Sequence, residues 1–352
     1  MAQLLATVGG LPEIPVIDVG PNFAMETAEA VGEERAYAML DDITRWIPDF
    51  VIRGADRVSR TWLITHRSPY LQEIEALANR SQRPGAYFLN ANYEWGCTTA
   101  AKPSPDGRSA RLLRTLDWAV SGLGRHVVAA RIASRFGPWV SLTWPGFTGV
   151  LQASAPGRFA ACINQPSIRK RTGVIFIDWA LGKRDVWRSP HLQPAHLLRR
   201  VFEEAPDFAA ARHMLETIPI TTPAIYTLAG VKPDEVCVIE RRQTSASVVT
   251  ECACAANEWQ SPDWRVGHFR GWRSAVRLSA MQASAGTMDL AWLEPPILHR
   301  WTRLVMVADA AEGRMLAQGY EKDGAVTSLL EVSATGSDST AGSPDRVASA
   351  TV

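Results

Sequence analysis

Residues 96–99 read Gly-Cys-Thr-Thr and residues 114–118 read Arg-Thr-Leu-Asp-Trp, with Lys102-Pro103-Ser104-Pro105-Asp106-Gly107-Arg108 between them. The middle run is dense in turn formers and both flanks are strand-like, so the stretch reads as a β-hairpin. Symmetry about a centre between Pro105 and Asp106 sets Cys97 opposite Arg114, where Cβ atoms of an antiparallel pair lie roughly 5 Å apart. Asp117 reaches the same edge if the strand bends. A one-residue slip in pairing would carry Arg114 to the other face. One hairpin thus offers a thiol, a cation and a carboxylate.

The 352 residues suffice for one large domain or two ordinary ones with a substantial core. Lys and Arg total 37 against 36 Asp and Glu, which leaves no electrostatic footprint for nucleic acid or an anionic membrane. The runs Arg169-Lys170-Arg171 and Arg270 to Arg277 read as short solvated faces. The N-terminus has no basic n-region and no apolar run long enough for export or spanning. Five cysteines, Cys97, Cys162, Cys237, Cys252 and Cys254, form no framework spacing and fit free thiols in a reducing compartment. The expectation is a cytoplasmic protein without an integral membrane segment. Of the 13 tryptophans, Trp118, Trp139 and Trp144 fall in one region, where they line an apolar pocket or fill the core.

Ile14 to Val19 reads as an opening edge strand because of Pro15. Residues 24–78 then turn helical, with Tyr37, Leu40, Ile43 and Ile47, and later Tyr70, Leu71, Ile74 and Leu77, at helical spacing. From Cys97 onward the texture is β-like. Expected strands are Trp139 to Thr143, Gly149 to Ala153, Phe159 to Asn164, Gly173 to Ile177, Ala224 to Leu228, Val236 to Glu240 and Ser247 to Cys252. Helices are expected at Ala195 to Glu204 and Phe208 to Glu216. A last strand pair, Leu304 to Ala308 and Arg314 to Gln318, flanks the turn Ala311-Glu312-Gly313. Residues 333–352 carry almost no large apolar side chain and read as a disordered tail. Helices first, then many strands with helices upon them, give an α+β class with layered sheets.

Four motifs in order resemble the acid ceramidase and N-acylethanolamine acid amidase family of the N-terminal nucleophile hydrolase superfamily. They are Asn92-Tyr93-Glu94-Trp95-Gly96-Cys97-Thr98-Thr99, Arg114-Thr115-Leu116-Asp117, Pro156-Gly157-Arg158-Phe159 leading to Ile163-Asn164, and Ala256-Asn257-Glu258-Trp259. The second is also similar to the Arg-x-x-Asp pair of bile salt hydrolases and penicillin V acylases. The resemblance spans most of the chain before the tail and implies an αββα sandwich. Residues 1–96 would be a mostly helical pro-segment, becoming an α-subunit that stays associated after self-cleavage, and residues 97–332 the catalytic domain. The animal enzymes have Cys-Thr-Ser where this chain has Cys-Thr-Thr, and they carry signal peptides and lysosomal destinations.

The resemblance further implies that the Cys97 thiol attacks the Gly96 carbonyl and that the thioester is hydrolysed. Glycine at 96 leaves the thiol unobstructed and tolerates strained backbone. The freed α-amine, with a reference pKa of about 7.7 to 8.0, can take the thiol proton, so one residue supplies nucleophile and base. Asp117 would orient the α-ammonium. Arg114 would lower the thiol pKa and hold the scissile carbonyl. Asn257, with Asn164, would donate to the oxyanion. Glu94 is a candidate for assisting the cut, and Trp118, Trp139, Trp144 and Phe147 for holding an apolar acyl chain of a linear N-acyl amide.

Each residue also has a plain structural reading. A buried cysteine is usually a small hydrophobe, and an Arg-x-x-Asp pair is usually a surface ion pair. Asn257 could cap the turn before Pro262, Asn164 likewise precedes a proline-containing turn, and Glu94 could be an exposed loop carboxylate. No cofactor or metal is called for, since Cys252-Ala253-Cys254 lacks a second pair and the histidines are scattered. Competing functions are an acyltransferase of the same fold and an idle, unprocessed binding domain.

Overall fold

The computed structural model describes residues 7–8, 10–81, 83–91, 94–264, 267–333 and 339–340. Two eight-stranded sheets face each other among these residues. The first runs Ala246–Val249, Val236–Arg241, Ala224–Ala229, Phe159–Asn164, Gln152–Ala155, Trp139–Thr143, Val128–Ile132 and Val16–Val19. The second runs Cys254–Ala255, Gly96–Pro103, Ala110–Asp117, Thr302–Asp309, Arg314–Glu321, Leu330–Ser333 and Ser339–Thr340, with Gly324–Ala325 beside Arg314–Glu321. Neighbours are antiparallel except Val16–Val19, which lies parallel to Val128–Ile132 at the edge where its proline-led sequence belongs.

Helices Pro194–Glu204 and Phe208–Thr217 cover the outer face of the first sheet, and Ser274–Ala283 covers the second. The layers are therefore helix, sheet, sheet, helix, the αββα sandwich expected. Because both faces of Ala110–Asp117 are covered, all eight of its residues are buried. Leu112 and Leu116 enter the core between the sheets, while Leu113 enters a second core with Met281 under the Ser274–Ala283 helix.

Phe23–Val31, Glu33–Thr44, Asp49–Thr65, Leu71–Ser81 and Ala86–Ala91 form the helical N-terminal part. No described helix is long and apolar enough to cross a membrane. This part is joined to the sandwich by a buried ion pair, Arg199 Nη1 to Glu73 Oε2 at 2.6 Å.

Several segments differ from the sequence reading, among them the unexpected strand Val128–Ile132. Gly173 to Ile177 is not a strand: Ile175–Arg188 is a helix, and the Asp178 carboxylate accepts the backbone N–H groups of Arg171, Thr172 and Gly173 just before it. The local apolar run looked like a strand, but a carboxylate gathering unpaired donors at a helix start outweighs it. Ser274–Ala283, whose mixed small and basic residues carry little periodicity, is a helix that the pattern did not reveal. The last β element is also not the Arg314 strand, since Leu330–Ser333 pairs alongside it. Most of the tail read as disordered lies outside the described residues.

Candidate active site

Cys97 is fully buried on the strand Gly96–Pro103. In the hairpin, Gly96 faces Asp117, Cys97 faces Leu116 and Thr99 faces Arg114, so Cys97 is not directly opposite Arg114. The centre falls between Asp106 and Gly107, one residue later than symmetry about Pro105 and Asp106 suggests. The turn sets this: Ser104 N donates to Ser109 O at 2.8 Å, and Gly107 takes a left-handed φ of 69° that suits glycine. Moving the centre by one residue moves the pairing by two, so Arg114 keeps the face of Cys97 and sits diagonally across. Its Nη2 donates to Cys97 Sγ at 3.1 Å and its Nη1 to Ile163 O at 2.9 Å. Its Nε is buried with no hydrogen-bond partner.

Asp117 accepts a hydrogen bond from Thr302 Oγ1 at 3.0 Å, and its Oδ2 lies 3.2 Å from both Arg277 Nη1 and His299 Nε2. Burial disfavours its charge, but His299, Arg277 and Thr302 together hold its pKa below the ordinary carboxylate range. Asn257 accepts the Cys97 N–H at 3.0 Å and Arg277 Nη2 at 2.8 Å through Oδ1, while its Nδ2 donates to Gln165 O at 2.8 Å. In this continuous chain Asn257 thus turns an acceptor, not a donor, toward Cys97. Asn164 is buried nearby, but its Nδ2 donates to Thr99 Oγ1 at 3.2 Å and to Ala256 O at 3.1 Å, so those donors serve the sheet.

Arg277, which the sequence reading assigned to a solvated face, is fully buried. Its Nη1 donates to Cys97 O at 2.7 Å and also to Thr98 Oγ1, so this guanidinium ties together Cys97, Thr98, Asp117 and Asn257. Gly271 makes room for it. With φ at 73°, a Cβ there would lie 2.6 Å from Asn257 Oδ1 and 2.7 Å from Arg277 Nη2. Gly96, by contrast, is not in left-handed backbone, and a Cβ there would meet Asn257 Oδ1 at an ordinary 3.4 Å.

Burial pushes the Cys97 thiol up to about 12, with Arg114 pulling the other way and Asp117 adding to the rise. A thiol in that state is a poor nucleophile at neutral pH, despite its arginine.

Trp118, Trp144 and Phe147 line an apolar cavity of about 240 Å³ closed by Met25, Met39 and Leu77 from the N-terminal helices. Trp139 does not join them. It is core, stacked on Phe202 at 5.2 Å and edge-on to Phe23 at 5.9 Å. The Trp95 ring lies 5.9 Å from that of Trp118. The Glu94 carboxylate meets Arg270, Lys183 and Trp179.

No family model matches the chain. It is 26% identical over 215 residues to the probable acid ceramidase of Caenorhabditis elegans, covering 54% of this chain and 52% of that protein. It is 27% identical over 183 residues to the acid ceramidase of Homo sapiens, covering 49% and 45%. The chain spans about half the length of the curated relatives it matches. Among solved structures it is similar to a Caenorhabditis elegans N-acylethanolamine-hydrolyzing acid amidase ortholog, at 18% identity over 60% of this chain and 92% of that one, with a TM-score of 0.45. The alignments to curated relatives make the chain similar to acid ceramidases over about half of its length, the family that the order of its four motifs resembles.

Proposed function

We propose that this chain is a cysteine-dependent amidohydrolase that cuts itself between Gly96 and Cys97 and then hydrolyses a linear N-acyl amide. The observation that carries the reading is the placement of Cys97: its thiol is 3.1 Å from Arg114 Nη2 and its main-chain N is 3.0 Å from Asn257 Oδ1. In the first step Sγ bonds to the Gly96 carbonyl carbon, the C–N bond breaks, and the thiol proton ends on the nitrogen. Water then cleaves the thioester and leaves a Gly96 carboxylate and a Cys97 amine. That amine lies where Asn257 Oδ1 already accepts, with Asp117 opposite the neighbouring Gly96, and it becomes the base for the thiol. In turnover the thiolate takes the acyl group, the amine half leaves with the proton, and water releases the acid.

The fragments would be residues 1–96 and 97–352, with the Trp118, Trp144 and Phe147 cavity taking the apolar acyl chain. The buried thiol accords with an idle precursor, awakened when the amide nitrogen becomes a base. Intact mass of the purified protein together with turnover of N-acylethanolamines, N-acyl amino acids, bile salts and β-lactams tests this. A single uncut mass with no turnover of any of them would sink it.

A further inference from the structure

One four-residue turn, His299-Arg300-Trp301-Thr302, meets the Asp117 carboxylate where the strand Thr302–Asp309 begins. Thr302 N donates to His299 O at 2.8 Å and His299 N to Thr302 Oγ1 at 3.2 Å, which closes the turn. Trp118 N donates to Trp301 O at 2.7 Å, and Thr302 pairs with Asp117 across the sheet, so the turn is fixed in register to the carboxylate. It reaches both oxygens: Thr302 Oγ1 donates to Oδ1 at 3.0 Å, and His299 Nε2 lies 3.2 Å from Oδ2.

His299 stands outside the bond-making steps above, yet its side chain is only 7% exposed. Trp272 and Trp301 pack against its ring at 5.1 and 5.7 Å, and Arg273 and Arg300 stack on those two indoles at 5.3 and 5.2 Å. Trp301 N donates to Nδ1 at 3.4 Å, which assigns the proton of the neutral ring to Nε2. In the continuous chain that N–H lies off the line of a full hydrogen bond, a buried donor incompletely spent beside a carboxylate.

Asp117 is in turn coupled to Cys97. A Cβ on Gly96, the residue joined to Cys97 N, would lie 3.5 Å from Asp117 Cβ. Arg277 Nη1 joins Asp117 Oδ2 at 3.2 Å to Cys97 O at 2.7 Å, and its Nη2 meets the Asn257 Oδ1 that accepts Cys97 N. The Asp117 charge is felt at the Cys97 thiol, which it pushes up. The charged groups around this carboxylate are therefore His299 from the turn, Arg277 from the helix Ser274–Ala283 and Arg303 from the strand Thr302–Asp309.

We infer that His299 is a positioning residue of the reaction: its Nε2–H holds part of the Asp117 charge and so sets how tightly the Cys97 amine, once freed, binds a proton. The inference rests on the amidase reading above. The amine must be unprotonated to take the thiol proton, and a bare carboxylate beside it would keep it charged at neutral pH. A donor on Oδ2 draws off part of that anion and lets the amine act as a base at lower pH.

The test is the pH profile of kcat/KM for N-dodecanoylethanolamine with the purified full-length protein. His299→Phe keeps an aromatic ring between the tryptophans and removes the N–H. Its acid limb should move up by about one pH unit, because the amine, the thiol and Asp117 itself all bind protons more tightly without the donor. His299→Gln carries an N–H to nearly the same point and should stay within about 0.3 unit of the unaltered protein. A limb unmoved in His299→Phe, or moved equally in both variants, overturns the inference even if the plateau falls. If no amide is turned over, the amidase reading fails by itself. The hold of His299 on Asp117 is then read from urea unfolding at pH 7. His299→Phe should lower the folded-to-unfolded ratio about fivefold more in the unaltered chain than in one carrying Asp117→Asn. Equal losses in the two backgrounds overturn it.

Discussion

At Arg199 every nitrogen of the guanidinium finds an acceptor: Nη1 meets Glu73 and Thr148 O, Nε meets Glu203, and Nη2 meets Pro21 O. Phe23 and Tyr70 enclose it at 4.4 and 4.3 Å. At Arg114, equally buried, the partners are one carbonyl and one thiol, the Nε is left over, and no carboxylate of the described residues forms an ion pair with it. The first centre is a charge fully compensated, which makes it a fastening. The second retains positive charge that only a thiolate or an oxyanion can satisfy, and such incompleteness in a closed site is what a reaction can use.

The sharpest break in this contrast comes from Cys97→Ala. It should give a folded single chain by intact mass, with no turnover. Fragments in that variant would show that another group makes the cut. Next, Arg114→Lys should lower kcat/KM by about a hundredfold, because an ammonium cannot reach Ile163 O and the thiol with a planar fork. A near-normal rate would return Arg114 to the class of structural arginines.

The fastening should fail differently. Arg199→Met leaves Glu73 buried and unpaired, at a cost of about 3 to 5 kcal/mol in urea unfolding, and adding Glu73→Gln should restore much of it. Arg114→Met strands no carboxylate and should cost clearly less. If the two substitutions cost the same, the distinction between the centres falls.

Acid sharpens the comparison further. His196 sits beside Arg199, its Nε2 2.9 Å from Thr148 Oγ1, and burial followed by the Arg199 charge lowers its pKa to about 3. Below the ordinary imidazole value, about 6.5, the unfolded chain binds a proton that the folded chain refuses, so stability falls with pH from there down to about 3. By pH 5 the loss should approach about 2 kcal/mol, and His196→Gln should flatten that slope. A wild-type urea midpoint unchanged between pH 7.5 and 5 would contradict it. The smallest effect is expected from deleting residues 341–352, which offer two valines as their sizeable apolar groups. The melting temperature should move by no more than about 2 °C, the mark of a loss under 1 kcal/mol.

What the sequence disclosed about this site follows from distance along the chain. Cys97 and Arg114 share a hairpin, and their common face was legible even though the turn shifted the pairing. Arg277 and His299 were not, because they reach Cys97 and Asp117 from some 180 residues away, and nothing in their neighbours marks them. The His-x-x-Thr run ending at Thr302 gains meaning only once its strand is seen against Asp117. Trp139 was grouped with Trp144 by proximity in sequence, but alternation along strand Trp139–Thr143 sends it into the aromatic core. Likewise Val174 to Ile177 could be told from a strand only by the Asp178 carboxylate turning back onto preceding amides.

The join between Glu73 and Arg199 spans the place where the chain would be divided. All five cysteines lie at or beyond Cys97, so residues 1–96 can form no disulfide to the remainder. A divided protein would hold together by burial, by the pairing of Val16–Val19 with Val128–Ile132, and by hydrogen bonds and ion pairs such as this one and Arg131 with Asp18. Its denaturation would then be a dissociation: renaturation would need two separate pieces to meet, its yield would depend on concentration, and the first piece would be asked to return to a partner that folded without it. Longevity of the mature form would be governed by how slowly the two pieces part, a property of the barrier and not of the well.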